Sequence, residues 1–135
     1  MAALYTSTDA TRGTFKPAGV TTPIKDATPV YTLSDTEFTT VNNAPRNVNI
    51  IRTIPGSGTC VMGARTIFSN NSDKYIAVRR ALNFLEYTLK NSTQFAVFEP
   101  NDQNLWSTIT GVCTGVLNDY WRAGGLAGQT ADQAY

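Results

Sequence analysis

The chain has 135 residues, of which 41% are hydrophobic and 16% charged, enough to bury a core without disulfides or metal and too apolar for wholesale disorder. Eleven Lys and Arg against ten Asp and Glu give a formal charge of +1, which offers no field to gather nucleic acid or anionic lipid. With no histidine, His-based acid–base catalysis, Ser-His and Cys-His nucleophile pairs and the commonest transition-metal ligand are all excluded.

Residues 1–46 are rich in Thr, Pro, Ala and Asp and read as a mostly loop lead-in. Within it, Ser34-Asp35 ahead of Glu37, Phe38 and Val41 predicts one short capped helix that Pro45 ends. Residues 47–135 read as a compact core. Val48–Ile54 is dominated by β-branched side chains and favours a strand, Pro55-Gly56-Ser57-Gly58 supplies the turn, and a second strand runs from Thr59 to Ile67, with Gly63 as a bulge or bend. Ser72 or Asp73 caps a helix whose apolar positions Tyr75, Val78, Leu82, Leu85 and Leu89 recur every three or four residues, with Arg79, Asn83, Glu86 and Lys90 on its outer side. The apolar run Gln94–Phe98, bounded by Pro100, reads as a buried third strand. Asn101 or Asp102 then caps a second long helix carrying Leu105, Ile109, Val112, Cys113, Val116, Leu117, Tyr120 and Trp121, which Gly124-Gly125 end.

The order strand, strand, helix, strand, helix implies an α/β (α+β) fold, a small mixed sheet covered by two main helices after a loop-rich N-terminal segment. Leu82, Leu85, Val97, Ile109, Val112, Cys113 and Val116 are the expected core. No apolar run reaches membrane-span length and the N-terminus has no signal-peptide pattern. Cys60 and Cys113 lack metal-ligand spacing and read as free, buried thiols, or as a disulfide if the fold brings them together. Sequons at Asn70 and Asn91 matter only in a secretory pathway, to which nothing else points.

Chemistry-bearing patterns are sparse. Pro55–Cys60 lacks the Gly-Lys-Ser/Thr ending of a phosphate loop and the spacing of a nucleophile elbow, so it reads as a hairpin turn. Glu99 and Asp102 at a helix start either pair as acids or Mg²⁺ ligands, or simply satisfy free amides and the helix dipole. Arg79 and Arg80 diverge by about 100° around their helix. One of them therefore faces outward, as a contact to another subunit or as a solvated cation paired with Glu86 or Asp73. Trp106 and Trp121 serve either the core or an interface.

Six segments in order resemble the C-terminal part of phage tail sheath proteins: Asp9–Gly19, Asn49–Gly58, Met62–Thr66, Tyr75–Arg80, Phe95–Asp102, and Leu105-Trp106 with Trp121–Gly128. Met62, Phe95 and Ala77 stand where that family is expected to carry Trp, Trp and Asn. The resemblance implies a structural subunit, not an enzyme and without cofactor or metal, whose copies assemble helically around an inner tail tube and contract to drive it through a target envelope. It implies further partners in baseplate and tail terminator proteins, none in nucleic acid or membrane, and a place in a virion tail assembled in the bacterial host cytoplasm. It also implies further domains before this segment and a strand and arm after Tyr135, so the chain is expected to be a single-domain fragment of a longer protein. Arg79 and Lys90 on the outward stripe of the first long helix, with Trp121 and Arg122 at the end of the second, are the candidate intersubunit or tube contacts. A non-contractile tail or baseplate domain, and a carboxylate-dependent enzyme on Glu99 and Asp102, are the competing readings.

Overall fold

In the computed structural model, which describes residues 1–43, 45–68 and 73–135, the chain is an α+β protein with five α-helices and one two-stranded antiparallel sheet among those residues. It divides into two compact units, Met1–Arg80 and Ala81–Tyr135.

The first unit opens with α1 (Ala2–Arg12), a helix where the sequence reads as loop. Threonine is a weak helix former in isolation. Here, however, the hydroxyls of Thr6, Thr8 and Thr11 donate to the carbonyls of Ala2, Leu4 and Ser7 one turn back, and tertiary contacts to later residues override the propensity. The expected short helix is α2 (Asp35–Asn42), closed by a complete capping box in which Glu37 N–H donates to Ser34 Oγ and Ser34 N–H to the Glu37 carboxylate, two free donors satisfied reciprocally.

Strand β1 (Ile50–Ile54) pairs with β2 (Gly58–Met62) from Ile50↔Met62 to Ile54↔Gly58. Both strands are shorter than the sequence predicts. β2 buries Thr59, Cys60 and Val61 and ends at Gly63, which bends at φ 98 rather than bulging. Beyond it the carboxamide of Asn49 continues the ladder by hand: its Nδ2 donates to the Arg65 carbonyl at 2.7 Å and its Oδ1 accepts the Arg65 N–H at 3.1 Å. Arg65 Nη1 donates in turn to the Asn42 carbonyl at 2.9 Å and Asn43 Oδ1 at 2.8 Å, which ties the end of α2 to the hairpin.

Helix α3 (Ile76–Ser92) begins later than its expected caps. Ser72 and the Asn70 sequon lie outside the described residues. Asp73 does not cap, because the helix starts only at Ile76 and the residues before it pair with the chain after β2: the Lys74 carbonyl accepts from Thr66 N–H, Ile76 N–H reaches the Ala64 carbonyl, and Tyr75 bridges Arg65.

In the second unit, Gln94–Phe98 is a 3₁₀ turn instead of a third strand. Its N–H groups close onto carbonyls three residues back, Ala96 to Thr93, with Glu99 to Ala96 following. A short apolar run carries no period by which to tell strand from helix. Helix α4 (Gln103–Arg122) starts where expected, with Asp102 accepting Leu105 N–H at 2.8 Å. It ends in a Schellman motif, Gly125 N–H to the Tyr120 carbonyl and Gly124 N–H to that of Trp121, with Gly124 at φ 86 as only glycine readily adopts. A short α5 (Ala131–Ala134) follows. The core here is Leu85 and Tyr120, with the Phe84 ring stacked on Tyr120 at 5.5 Å. Of the expected core, Leu85 is buried and Ile109, Val112, Cys113 and Val116 are half-buried, but Leu82 is 46% and Val97 70% exposed. Val97 is lost from the core because its strand does not form. Both cysteines are free, Cys60 buried and Cys113 half-buried.

Candidate functional site

Helical spacing sets the outer face of α3. Arg79, Asn83, Glu86 and Lys90 are all exposed, but so are Tyr75, Val78 and Leu82 of the expected apolar face, on which Leu85 is the buried member. Arg79 and Lys90 are eleven positions apart, hence about 20° apart around the axis. The Arg79 guanidinium is half-exposed and lies 3.6 Å from Asp73, one of the two local partners expected for it. Lys90 stands in the last turn of α3, where a cation complements the helix dipole, and forms no ion pair among the described residues.

Trp121 is engaged within its own unit: its indole N–H donates to the Gly128 carbonyl at 3.0 Å, holding the segment after α4 against the helix end. Arg122 is exposed beside it in the last turn of α4 and has no ion pair among the described residues. Trp106 is 56% exposed and donates to Asn101 Oδ1 at 2.7 Å.

Glu99 and Asp102 share an open cleft of about 340 Å³ with Phe95, Pro100, Leu105 and Thr108. The Asp102 carboxylate is already occupied as the α4 cap. No cluster of metal-ligating side chains occurs among the described residues, and the Gly-rich turn is the β1–β2 loop. The contact recorded for this carboxylate pair is thus the helix cap on Asp102.

Two features escape the sequence reading. Arg80, the inward arginine of the pair, donates to Asp9 and lies 4.5 Å over the Tyr5 ring, with both partners 71 or more positions away on α1. Helical phase sets Arg80 about 170° from the centre of the apolar stripe, and no local pattern names so distant a partner. The second feature is apolar exposure: Tyr87 is 69% and Phe98 97% exposed, although an apolar run in sequence reads as core.

Residues 69–134 match the family model of the phage tail sheath C-terminal domain. That match takes in 66 of the 135 residues, all in the C-terminal half. The sheath likeness extends further in structure. A chain of the anti-feeding prophage baseplate, 6-fold symmetrised, is similar over 97% of this chain and 36% of its own, with a TM-score of 0.89 and 32% identity. A chain of the anti-feeding prophage helical sheath in its contracted state gives 0.85 and 32% over 98% of this chain and 37% of its own. One from the extracellular contractile injection system PVC, a sheath complex in the contracted state, gives 0.84 and 32% over 96% and 36%. No curated protein sequence matches. The chain thus spans little more than a third of the sheath-system chains it resembles. Arg79, Lys90, Trp121 and Arg122 all fall within the segment that matches the sheath-domain model, and Tyr5 and Asp9 precede it.

Proposed function

We propose that this chain is the C-terminal module of a contractile tail sheath subunit, whose copies assemble helically around an inner tube and shorten together to drive the tube through a target envelope. The observation that carries this reading is the likeness over almost the whole chain to proteins of contractile injection systems, at 32% identity for the helical sheath in its contracted state. The partners follow as other copies of the subunit, the tube protein, and baseplate and terminator proteins, in a tail or tail-derived machine assembled in the host cytoplasm. The role is mechanical, and no substrate is turned over: a bistable lattice holds its energy in alternative packings of rigid modules.

Arg79, Lys90, Trp121 and Arg122 supply intersubunit or tube contacts in this reading. Exposed charge contacts each contribute about 0–1 kcal/mol and are screened by salt, so many of them can hold an extended lattice without trapping it. Baseplate structures among the similar proteins favour one other reading, a baseplate-bound module that does not contract.

Electron microscopy of the complete encoded protein separates the two. Striated sleeves in long and short forms are expected, whereas discrete particles under all polymerising conditions would sink the sheath reading. For the contacts, Arg79→Glu, Lys90→Glu and Arg122→Glu should each impair assembly or shift its salt dependence. Wild-type assembly and contraction by all three across a salt series would remove them from the interface.

A further inference from the structure

The two helices of residues 1–46 are tied down by different means. α2 is fixed at its end by Asn42 and Asn43 to Val48, Asn49 and Arg65, and at its start by Asp35 to Arg52. α1 buries only Thr8. Its side-chain ties to later residues include Thr8 Oγ1 to Thr22 Oγ1 at 3.4 Å, Arg12 to Thr21, and the grip on Arg80. Tyr5 and Asp9, one turn apart on a single face of α1, hold that guanidinium from two sides, ring and carboxylate. The grip is half-made: Asp9 Oδ1 and Arg80 Nη1 are both buried and have no partner among the described residues. Directly after α1, Gly13 takes φ 88 and ψ 158; further on, Ala18 is buried and Ile24 N–H donates to the Thr59 carbonyl of the hairpin at 2.7 Å.

We propose that α1 is a strap that hinges at Gly13 and is latched by Arg80, opening as a unit while β1, β2 and α2 stay folded. The apolar area that opposes the opening is that of half-buried Leu4 and Tyr5, with the methyl of buried Thr8. The two unpaired polar atoms regain water when the latch parts, which offsets much of the lost ion pair, because a buried donor or acceptor without a partner costs as much as a hydrogen bond contributes. Opening leaves the Arg80 guanidinium, at the head of α3, free for another carboxylate, and exchanging one ion pair for another changes the free energy little. This device goes beyond the sheath reading and does not depend on it.

Hydrogen exchange read by mass spectrometry on the full 135-residue chain tests it. In the wild type, amides of 2–12 should exchange faster than those of β1, β2 and α4. Asp9→Asn and Arg80→Met should each speed exchange in 2–12 by about tenfold and leave β1 and β2 within about twofold. The charge-swapped pair Asp9→Arg with Arg80→Asp should recover part of the protection. Unchanged exchange of α1 in both single variants would overturn the latch, and equal acceleration in β1 and β2 would overturn the strap, since α1 would then open only with the whole unit.

Discussion

Among the described residues every ion pair lies within Met1–Arg80, where Arg52 meets Asp35, Arg79 meets Asp73 and Arg80 meets Asp9; Ala81–Tyr135 has none. The first unit consists of short elements stitched by named polar groups, above all the Asn42, Asn49 and Arg65 network. The second consists mainly of long helical segments with half-buried apolar stripes and a small core at Leu85 and Tyr120. Polar stitching tolerates little, because each buried partner left alone costs the desolvation of its group. An apolar stripe tolerates more, since its cost scales with the area each side chain buries. The exposed apolar groups of the second unit, Tyr87, Val97 and Phe98, fit the proposed place in an assembly, where such area would be covered.

The largest expected effect tests the stitching. A Cβ on Gly63 would lie 2.3 Å from Asn42 Nδ2 and 2.5 Å from Asn49 Oδ1, at a backbone φ of 98 that side chains rarely adopt. Gly63→Ala should destabilise by about 2–4 kcal/mol through backbone strain and the broken amide network. A urea midpoint within error of wild type would show that the network yields cheaply and that the contrast between units is overstated.

Next comes the apolar side of the comparison. Leu85 is buried and Leu82, three residues earlier on the same stripe, is 46% exposed. Leu85→Ala should cost about 2–3 kcal/mol by transfer and cavity terms, and Leu82→Ala about 1 kcal/mol or less because part of its area is in water already. Equal costs in denaturant titrations would mean that Leu82 is as covered in solution as Leu85.

The same contrast explains what sequence could and could not disclose. α3 and α4 were legible because apolar spacing repeats over several turns, Asp102 stands at the start of α4 and Gly124-Gly125 stand at its end. α2 was legible from Ser34 and Glu37, and the hairpin from Pro55–Gly58. α1 was missed because its helix rests on threonine back-bonding and on Arg80, far along the chain. The run Gln94–Phe98 was misread because five residues of strand-like composition carry no information on whether a neighbouring strand exists. Of the site residues, Arg79 and Lys90 were placed on an outward stripe and are exposed, whereas the use of the Trp121 indole N–H by Gly128 could not be read, since loop return paths leave no periodic trace. The sheath likeness rested on ordered segments, and both the family match and the structural likeness bear it out.

A smaller effect separates surface stitching from buried stitching. Asp35 is 89% exposed although its carboxylate lies 2.7 Å from Arg52, so Asp35→Asn should cost no more than about 1 kcal/mol. Phe38 remains under the guanidinium at 6.0 Å in that variant. The cost should disappear in about 1 M salt, where the screening length is near 3 Å. A cost that persists undiminished in high salt would mean the pair acts by geometry rather than charge.

The smallest effect concerns the capping box, the one place where protonation is tied to this stitching. The Glu37 carboxyl is held below the ordinary glutamate range, first by the Ser34 backbone N–H and then by the Ser34 hydroxyl, both donating to it. Because the folded value lies below the unfolded one, the box contributes its stability in full above the unfolded value, about 4.3 for free glutamate. That contribution is lost as pH falls through the folded value. Glu37 is fully exposed, so the slope should be slight and confined to α2, with the β1–β2 amides unaffected by this group. Glu37→Gln should flatten the slope while keeping the helix, since a glutamine oxygen accepts the same two bonds. Carboxyl titration by NMR decides it: a Glu37 midpoint at or above that of free glutamate would show that the box does not hold in solution, and that the start of α2 depends on Asp35 and Arg52 instead.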